Sequence, residues 1–214
     1  MPLYKLTYFD LRARAEPIRM LLHAAGQPFE DVRIPVGDPA FAALKPSLPY
    51  GQLPVLEVDG VTIAQSAAIM RYLARQHGFE AASTIDAAIC DGLLENLVGD
   101  FISDYKDYIF VAAGYMEGDR KAVFEEYLPK RGQHFGYYTR LLKQNKTGSG
   151  YVVGDRMTYA DLALACHMEM LEVHDLEGPE RMYEGNEEIK AHKEKVFSDP
   201  RLQDYLANRP KAKY

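Results

Sequence analysis

Strand signals stop at Gly78, and that switch constrains this chain more than any other feature. Before it, short alternating runs and helical spacing follow one another. After it, apolar residues recur every three to four positions. "YKLTYF" (Tyr4 to Phe9) alternates and is rich in aromatics, which predicts a strand. "RAEPIRMLLHAAG" follows with Ile18, Leu21, Leu22 and Ala25 on one side and Gly26 as a stop, which predicts a helix. "FEDVRI" (Phe29 to Ile34) is a second short strand. Strand, helix, strand makes a βαβ unit, so these two strands are expected to be parallel.

Pro35 to Pro49 reads as a loop, with five residues of proline or glycine in it. "PVLEV" (Pro54 to Val58) and "VTIA" (Val61 to Ala64) flank Asp59-Gly60, a strong two-residue hairpin signal. Ser66 is expected to cap the next helix, which ends at Gly78. Residues 1–79 therefore predict a small α/β domain with a mixed four-stranded sheet. "FEAAS", from 79 to about 83, reads as the linker, and residues 84–214 as an all-helical second domain. Within the latter, "STIDAAICDGLLENLVGDFISDYKDYIF" reads as one long helix. "AVFEEYLPKRGQHFGYYTRLLKQN" reads as another, which Pro129 either kinks or divides. Thr158 and Asp161 form a variant of the Ser/Thr-x-x-Glu capping box.

Composition narrows the function. Hydrophobic residues make up 47% of 214, enough for a sizeable core, and the net charge is −6. That charge argues against nucleic acid or an anionic membrane surface as a partner. No apolar run approaches membrane-spanning length, and the first residues are too short and polar a stretch for a signal peptide. Cys90 and Cys166 are far apart and lack a CxxC or metal-ligand partner, so both read as packed free thiols in a reducing cytoplasm. The sequon "NKT" at Asn145 would matter only in a secreted chain.

Pro54 stands just before the hairpin in "YGQLPVLEVDGVTIAQS". A strand preceded by proline in this order of elements resembles the thioredoxin-like fold, in which that peptide bond is usually cis. Such a turn presents the backbone N–H and C=O of Leu53 to an extended peptide, as an added strand. Gln65 and Ser66, at a helix start, offer a carboxylate site. The stretch reads as a dock for a short peptide with a terminal carboxylate; the plain alternative is a hairpin packed on a helix. Where dithiol proteins of that fold carry CxxC, this chain has Tyr8 and no cysteine, so dithiol exchange is excluded. A neutral phenol there could donate to a bound thiol and favour the thiolate, which is the nucleophile. The other reading of Tyr8 is packing, as for most of the 15 tyrosines. Arg12 and Arg14 are either solvated or held for an anion, and Lys45 could join them.

"YKLTYFDLRARAEPIR", "LKPSLPYGQLPVLEVDGVTIAQSAAIMRYLAR" and "GDRMTYADLAL" together resemble the cytosolic glutathione S-transferases, sigma class and nematode-type relatives in particular, over essentially the whole chain. The resemblance implies a thioredoxin-like N-domain, an all-α C-domain and a homodimer, with glutathione as co-substrate. It implies that Tyr8 stabilises the glutathione thiolate with Arg14 in support, and that Gly51, Gln52, Leu53 and Pro54 dock the tripeptide. Gln65 and Ser66 would hold the γ-glutamyl carboxylate and Lys45 the glycyl one. Asp100 would reach across the dimer to the γ-glutamyl amine, and Thr158 with Asp161 would be structural. The electrophile pocket would lie between the domains, near Phe9, Tyr105 and Tyr214.

The chain departs from that pattern in places. It has no tryptophan, so Phe41 would replace the indole usually found before the lysine, without its N–H donor. Ala13 replaces a glycine common between the two arginines. The acidic cluster near Asp100 that binds a metal in the prostaglandin D synthase branch is thinned to Asn96 and Gly99, and no metal is expected. His167 and His174 read as packing or surface groups and "KAHKEK" as a solvated charge run. Tyr105 and Tyr108 fit either the electrophile pocket or plain core. The expected activity is conjugation of the glutathione thiolate to small hydrophobic electrophiles. The rivals are a glutathione-dependent prostaglandin H2 D-isomerase and a non-catalytic binding or structural protein on the same scaffold.

Overall fold

Strand β1 (Tyr4–Phe9) buries Tyr4, Leu6 and Tyr8, the alternate residues that share one face of a strand. In the computed structural model, which describes residues 3–211, β1 lies second in a four-stranded sheet of order β2-β1-β3-β4. Its neighbour β2 (Phe29–Ile34) runs parallel, Tyr4 opposite Phe29 and Phe9 opposite Ile34. On the other side β3 (Val55–Val58) is antiparallel to β1 and to β4 (Val61–Ala64). The β3–β4 turn has positive φ at both Asp59 (49°) and Gly60 (85°), the backbone that a tight hairpin asks of Asp-Gly.

Helix α1 (Glu16–Ala24) contributes Ile18, Leu21 and Leu22, all with no exposed surface. Fully burying an aliphatic side chain of this size contributes about 1.5–3 kcal/mol. Helix α3 (Ser66–His77) packs against α1 and adds Ile69, Met70 and Leu73 to the same core. Gly78 ends α3 in the left-handed conformation (φ 75°). Two details of this half differ from expectation. Gln65, not Ser66, is the N-cap of α3, and no side-chain cap bond is made there. The proline-rich stretch is not all loop: it holds α2 (Pro39–Leu44) and a 3-10 turn over Lys45–Ser47. Asp38 starts α2, its side chain accepting from Ala40 N at 2.7 Å, and Pro39 fills a first-turn position where no N–H is needed.

The chain divides into two compact units, one of residues 3–80 with 197–211 and one of residues 81–196. The sequence pattern places residues 84–214 together in the second. The C-terminal segment joins the first unit through a 3-10 turn (Pro200–Leu202) whose Leu202 is wholly buried. Tyr205 stacks on His23 of α1, ring centroids 4.1 Å apart, and Arg201 lies over Phe79.

In the second unit, Ser83 caps α4 (Thr84–Asn96), accepting from Asp86 N at 3.0 Å. A π-turn (Leu97–Phe101) leads straight into α5 (Ile102–Ala112), so the expected long helix is present with one widened turn. Helix α6 (Arg120–Gln144) carries Pro129 inside it and is not divided. After it the loop folds on Asn145, whose Nδ2 donates to Ser149 Oγ, Tyr151 O and Gly154 O (3.2, 2.9 and 2.8 Å). Helix α7 (Tyr159–His174) opens with the capping box on Thr158 and Asp161. Asp161, fully buried, accepts from Thr158 N and Val152 N at 2.7 Å and from His192 Nε2 at 2.9 Å. His192 belongs to α9 (Glu187–Phe197), which follows the short α8 (Pro179–Met182), so "KAHKEK" is not wholly solvated: its histidine is a buried partner of the cap.

Candidate active site

The residues that end β1 also open a cavity of about 380 Å³. Tyr8 and Phe9 come from the strand's tip, and Arg14 from the three-residue 3-10 turn (Ala13–Ala15) that joins β1 to α1. Phe41 of α2 and Lys45 just after it form a second side. The segment from Tyr50 to Pro54 forms a third, and Ala64, Gln65 and Ser66 a fourth. Every one of these belongs to the first unit.

Local backbone geometry builds each side. The Leu53–Pro54 peptide bond is cis, and the β3 ladders start only at Val55, which leaves Leu53 beyond the paired part of the sheet. Gln65 holds φ 73°, ψ 118°, a conformation that costs a non-glycine residue about 1–3 kcal/mol and is met mostly at functional sites. It places Gln65 and Ser66 where the first N–H groups of α3 are free to meet an anion. Gly51 has φ 62°, and a Cβ built on it would lie 3.5 Å from Lys45 Cγ and Cε, so the lysine stem runs over the glycine. Phe9 meets Phe41 edge-to-face at 4.9 Å and Tyr8 at 5.6 Å, which joins β1 and α2 by an aromatic contact.

Charge follows the same layout. Among the described residues lining the cavity are two cations, Arg14 and Lys45, and no carboxylate. In a chain of net charge −6 this is a local basic site, with a helix N-terminus added to it. Such a site suits a small molecule with more than one negative group. A phenol at its wall supplies one O–H donor.

Of the expected residues, the cavity brings together Tyr8, Phe9, Arg14, Phe41, Lys45, Gly51, Gln52, Leu53, Pro54, Gln65 and Ser66. Asp100 lies on the π-turn of the second unit, exposed, and accepts from Asn96 Nδ2 at 3.1 Å. Tyr105 is wholly buried in that unit among the rings of Phe101, Tyr108 and Tyr127, so its surroundings are those of a core residue. Tyr108 is buried beside it and donates to His174 O. Tyr214 lies outside the described residues. Two lining residues escaped the sequence reading, Tyr50 and Ala64. Both are chain neighbours of expected residues, Tyr50 of Gly51 and Ala64 of Gln65, and that adjacency is their signal in the sequence.

The remaining sequence features have structural surroundings. Cys90 and Cys166 are free and buried, and burial pushes the Cys90 thiol up to about 12. His167 is buried with Nδ1 2.7 Å from Ala163 O. Among the described residues no three His, Cys, Asp or Glu side chains gather closely enough to hold a metal ion. None of their helices is long and apolar enough to cross a membrane.

Residues 4–75 match the family described as "Glutathione S-transferase, N-terminal domain", and residues 100–209 match "Glutathione S-transferase, C-terminal domain". The chain belongs to the glutathione S-transferase family. Its relatives include nematode proteins of that family. "Probable glutathione S-transferase 7" of Caenorhabditis elegans is 39% identical over 208 residues, 97% of each chain. Among solved structures, a Nu-class glutathione S-transferase from Haemonchus contortus superposes with a TM-score of 0.84 at 41% identity over the whole of both chains. The prostaglandin synthase D of Nilaparvata lugens superposes with 0.82 at 30% identity, over 98% of this chain and all of that one.

Proposed function

We propose that this protein is a glutathione transferase, in which the thiolate of bound glutathione attacks an electrophilic carbon of a small hydrophobic molecule. The carbon–sulfur bond forms as the leaving group departs or a conjugated double bond takes up the electron pair, and the thiol proton goes to solvent. Tyr8 donates to the sulfur, Arg14 adds positive charge near it, and Leu53 pairs through its backbone with the cysteinyl part. Gln65 and Ser66 hold the γ-glutamyl carboxylate and Lys45 the glycyl carboxylate, with Gly51 and Gln52 along the tripeptide. The observation that supports this most is that one cavity is lined by the strand-tip phenol, the backbone ahead of Pro54, the start of α3 and two cations. Rate enhancement then comes from lowering the thiol pKa and from holding the two reactants together.

Phe9 is the first contact for the electrophile in this reading. Asp100 completes the site from a second copy in a homodimer, and Phe41 takes the place of the usual tryptophan as an apolar wall without a donor. Sigma-class character is part of the same reading, carried by the three segments quoted above. A cytoplasmic location goes with it, supported by two buried free thiols.

The test is a panel of electrophiles incubated with and without glutathione and the protein. Protein-dependent conjugation of several aryl halides or enals supports the reading, and glutathione binding without turnover of any of them sinks it. A second reading, prostaglandin H2 D-isomerisation, has one observation in its favour, the likeness to the Nilaparvata lugens enzyme. Specific formation of the D product from prostaglandin H2, with weak conjugation, would favour it.

A further inference from the structure

We propose that the C-terminal segment is part of the thiol-activating machinery: Tyr205 and Arg209, by gripping the carboxylate of Glu16, hold the turn that aims Arg14 into the cavity. This rests on the transferase reading above and extends it to residues far from the cavity in sequence.

The turn from Asp10 to Glu16 is held only in part by its own bonds, Ala15 N and Glu16 N donating to Arg12 O at 3.1 and 2.9 Å. Ala13 takes φ 31°, in the region that disfavours a residue with a Cβ, and Arg12 at the N-cap makes no side-chain capping bond to the 3-10 turn. The turn is also braced from outside, at both ends. At its start, Asp10 N donates to Ile34 O at 2.8 Å, and Arg19 Nη1 donates to Leu11 O at 2.7 Å. At its end, Glu16 Oε1 accepts from Tyr205 Oη at 3.0 Å and from Arg209 Nη1 at 2.7 Å. Glu16 Oε2 faces Arg19 Nη1 at 3.5 Å. Glu16 lies two residues beyond Arg14, and its own N–H closes the turn on Arg12 O at 2.9 Å. Glu16 and Arg14 thus belong to one hydrogen-bonded turn.

Glu16 is 2% exposed and Arg19 0%. Burying a carboxylate and a guanidinium is unfavourable unless both are bonded, so such groups mark a place where direction matters more than adhesion. Adhesion is already supplied: Leu202 is buried and Tyr205 stacks on His23. The two donors to Glu16 add orientation, and Tyr205, Arg209 and Glu16 act as positioning residues for Arg14.

The experiment uses the full chain with Tyr205→Phe, Arg209→Gln and the double variant. His23→Gln serves as the control, because it removes the stacking and leaves both bonds to Glu16. The readouts are the pKa of the bound glutathione thiol, followed by thiolate ultraviolet absorbance, the pH profile of kcat/KM, and thermal melting. The double variant is expected to raise the bound thiol pKa and to lower kcat/KM about tenfold at pH 6.5, with the loss closing at high pH. Arg209→Lys should recover part of it. His23→Gln should lower the melting temperature and leave the thiol pKa in place. If the double variant does not fold, Tyr205→Phe decides alone. A folded variant that binds glutathione with the wild-type thiol pKa overturns the inference. A wild-type protein whose bound glutathione shows no thiolate absorbance overturns the transferase reading, and this inference with it.

Discussion

The side chain of Lys45 lies along the face of Gly51, within 3.5 Å of where a β-carbon would stand. The stem of the cation therefore packs on the backbone of this glycine. Lys45→Ala should raise the KM for glutathione roughly 5–30-fold with little change in kcat, the loss of one charge-assisted hydrogen bond of about 1–2 kcal/mol. Gly51→Ala should raise it as well, because φ 62° costs an L-residue about 1–2 kcal/mol and relief of that strain would shift the segment beneath the lysine stem. Steady-state kinetics with glutathione as the varied substrate check both. An unchanged KM in Lys45→Ala would remove Lys45 from the tripeptide site.

Tyr8→Phe keeps the ring, its packing on Phe9 and the cavity wall, and removes one donor. Glutathione should bind nearly as well, while the rate at pH 6.5 should fall about 10–100-fold, the equivalent of one or two units of thiol pKa. Raising the pH should restore much of it. Full turnover at pH 6.5 would show that the phenol does not serve the sulfur.

Ala13 holds φ 31° where a glycine would be at ease. Ala13→Gly relieves the side chain's clash and gives back part of the gain as lost backbone entropy. The net expectation is a stabilisation of about 0.5–1 kcal/mol, or roughly 2 °C in Tm for a chain of this size. A lower Tm in the variant would mean that Ala13 is not strained.

Legibility from sequence differed by the range of the interaction. The strands β1, β2 and β4 were readable because alternation and the Asp-Gly turn are local signals, and Tyr8, Gln65 and Ser66 followed from their places at element ends. Helix α2 was not, because four prolines between 35 and 49 outweighed the Asp38-Pro39 start. Ser66 has the side chain of a good cap, yet Gln65 occupies that position with a strained backbone. The burial of His192 was invisible: its sequence neighbours are charged, and its partner Asp161 is 31 residues away. The joining of the C-terminal segment to the first unit rests on contacts such as Tyr205 with Glu16, 189 residues apart, which no local pattern records.

Asp161 gathers two backbone N–H groups, the Thr158 hydroxyl and His192. Asp161→Ala leaves these buried donors unpaired and should cost about 3–5 kcal/mol, seen as a lower Tm and poor recovery on refolding. His192→Gln should cost less, about 1–3 kcal/mol. Equal, negligible losses in thermal melts would show that this cluster does not hold the helical unit.

His174, 5% exposed, is held neutral, its pKa lowered to about 4 by burial and by Arg120. An unfolded histidine titrates near 6.5, so the unfolded chain takes up a proton that the folded one refuses. Its contribution is thus full above pH 6.5 and declines as the pH falls from there toward 4, by about 3 kcal/mol in all. Urea titrations across that range should show the decline in the wild type and a flatter limb in His174→Gln. Parallel limbs would assign the acid sensitivity elsewhere.

Asn145 spends its side-chain amide on three oxygen acceptors of its own loop. An enzyme that attaches an oligosaccharide must turn that nitrogen outward and use it as a nucleophile. Here the turn would have to come apart first, so in the folded protein the tripeptide pattern at Asn145 is a fastening, and carbohydrate could be added only to a chain that had not yet closed around it.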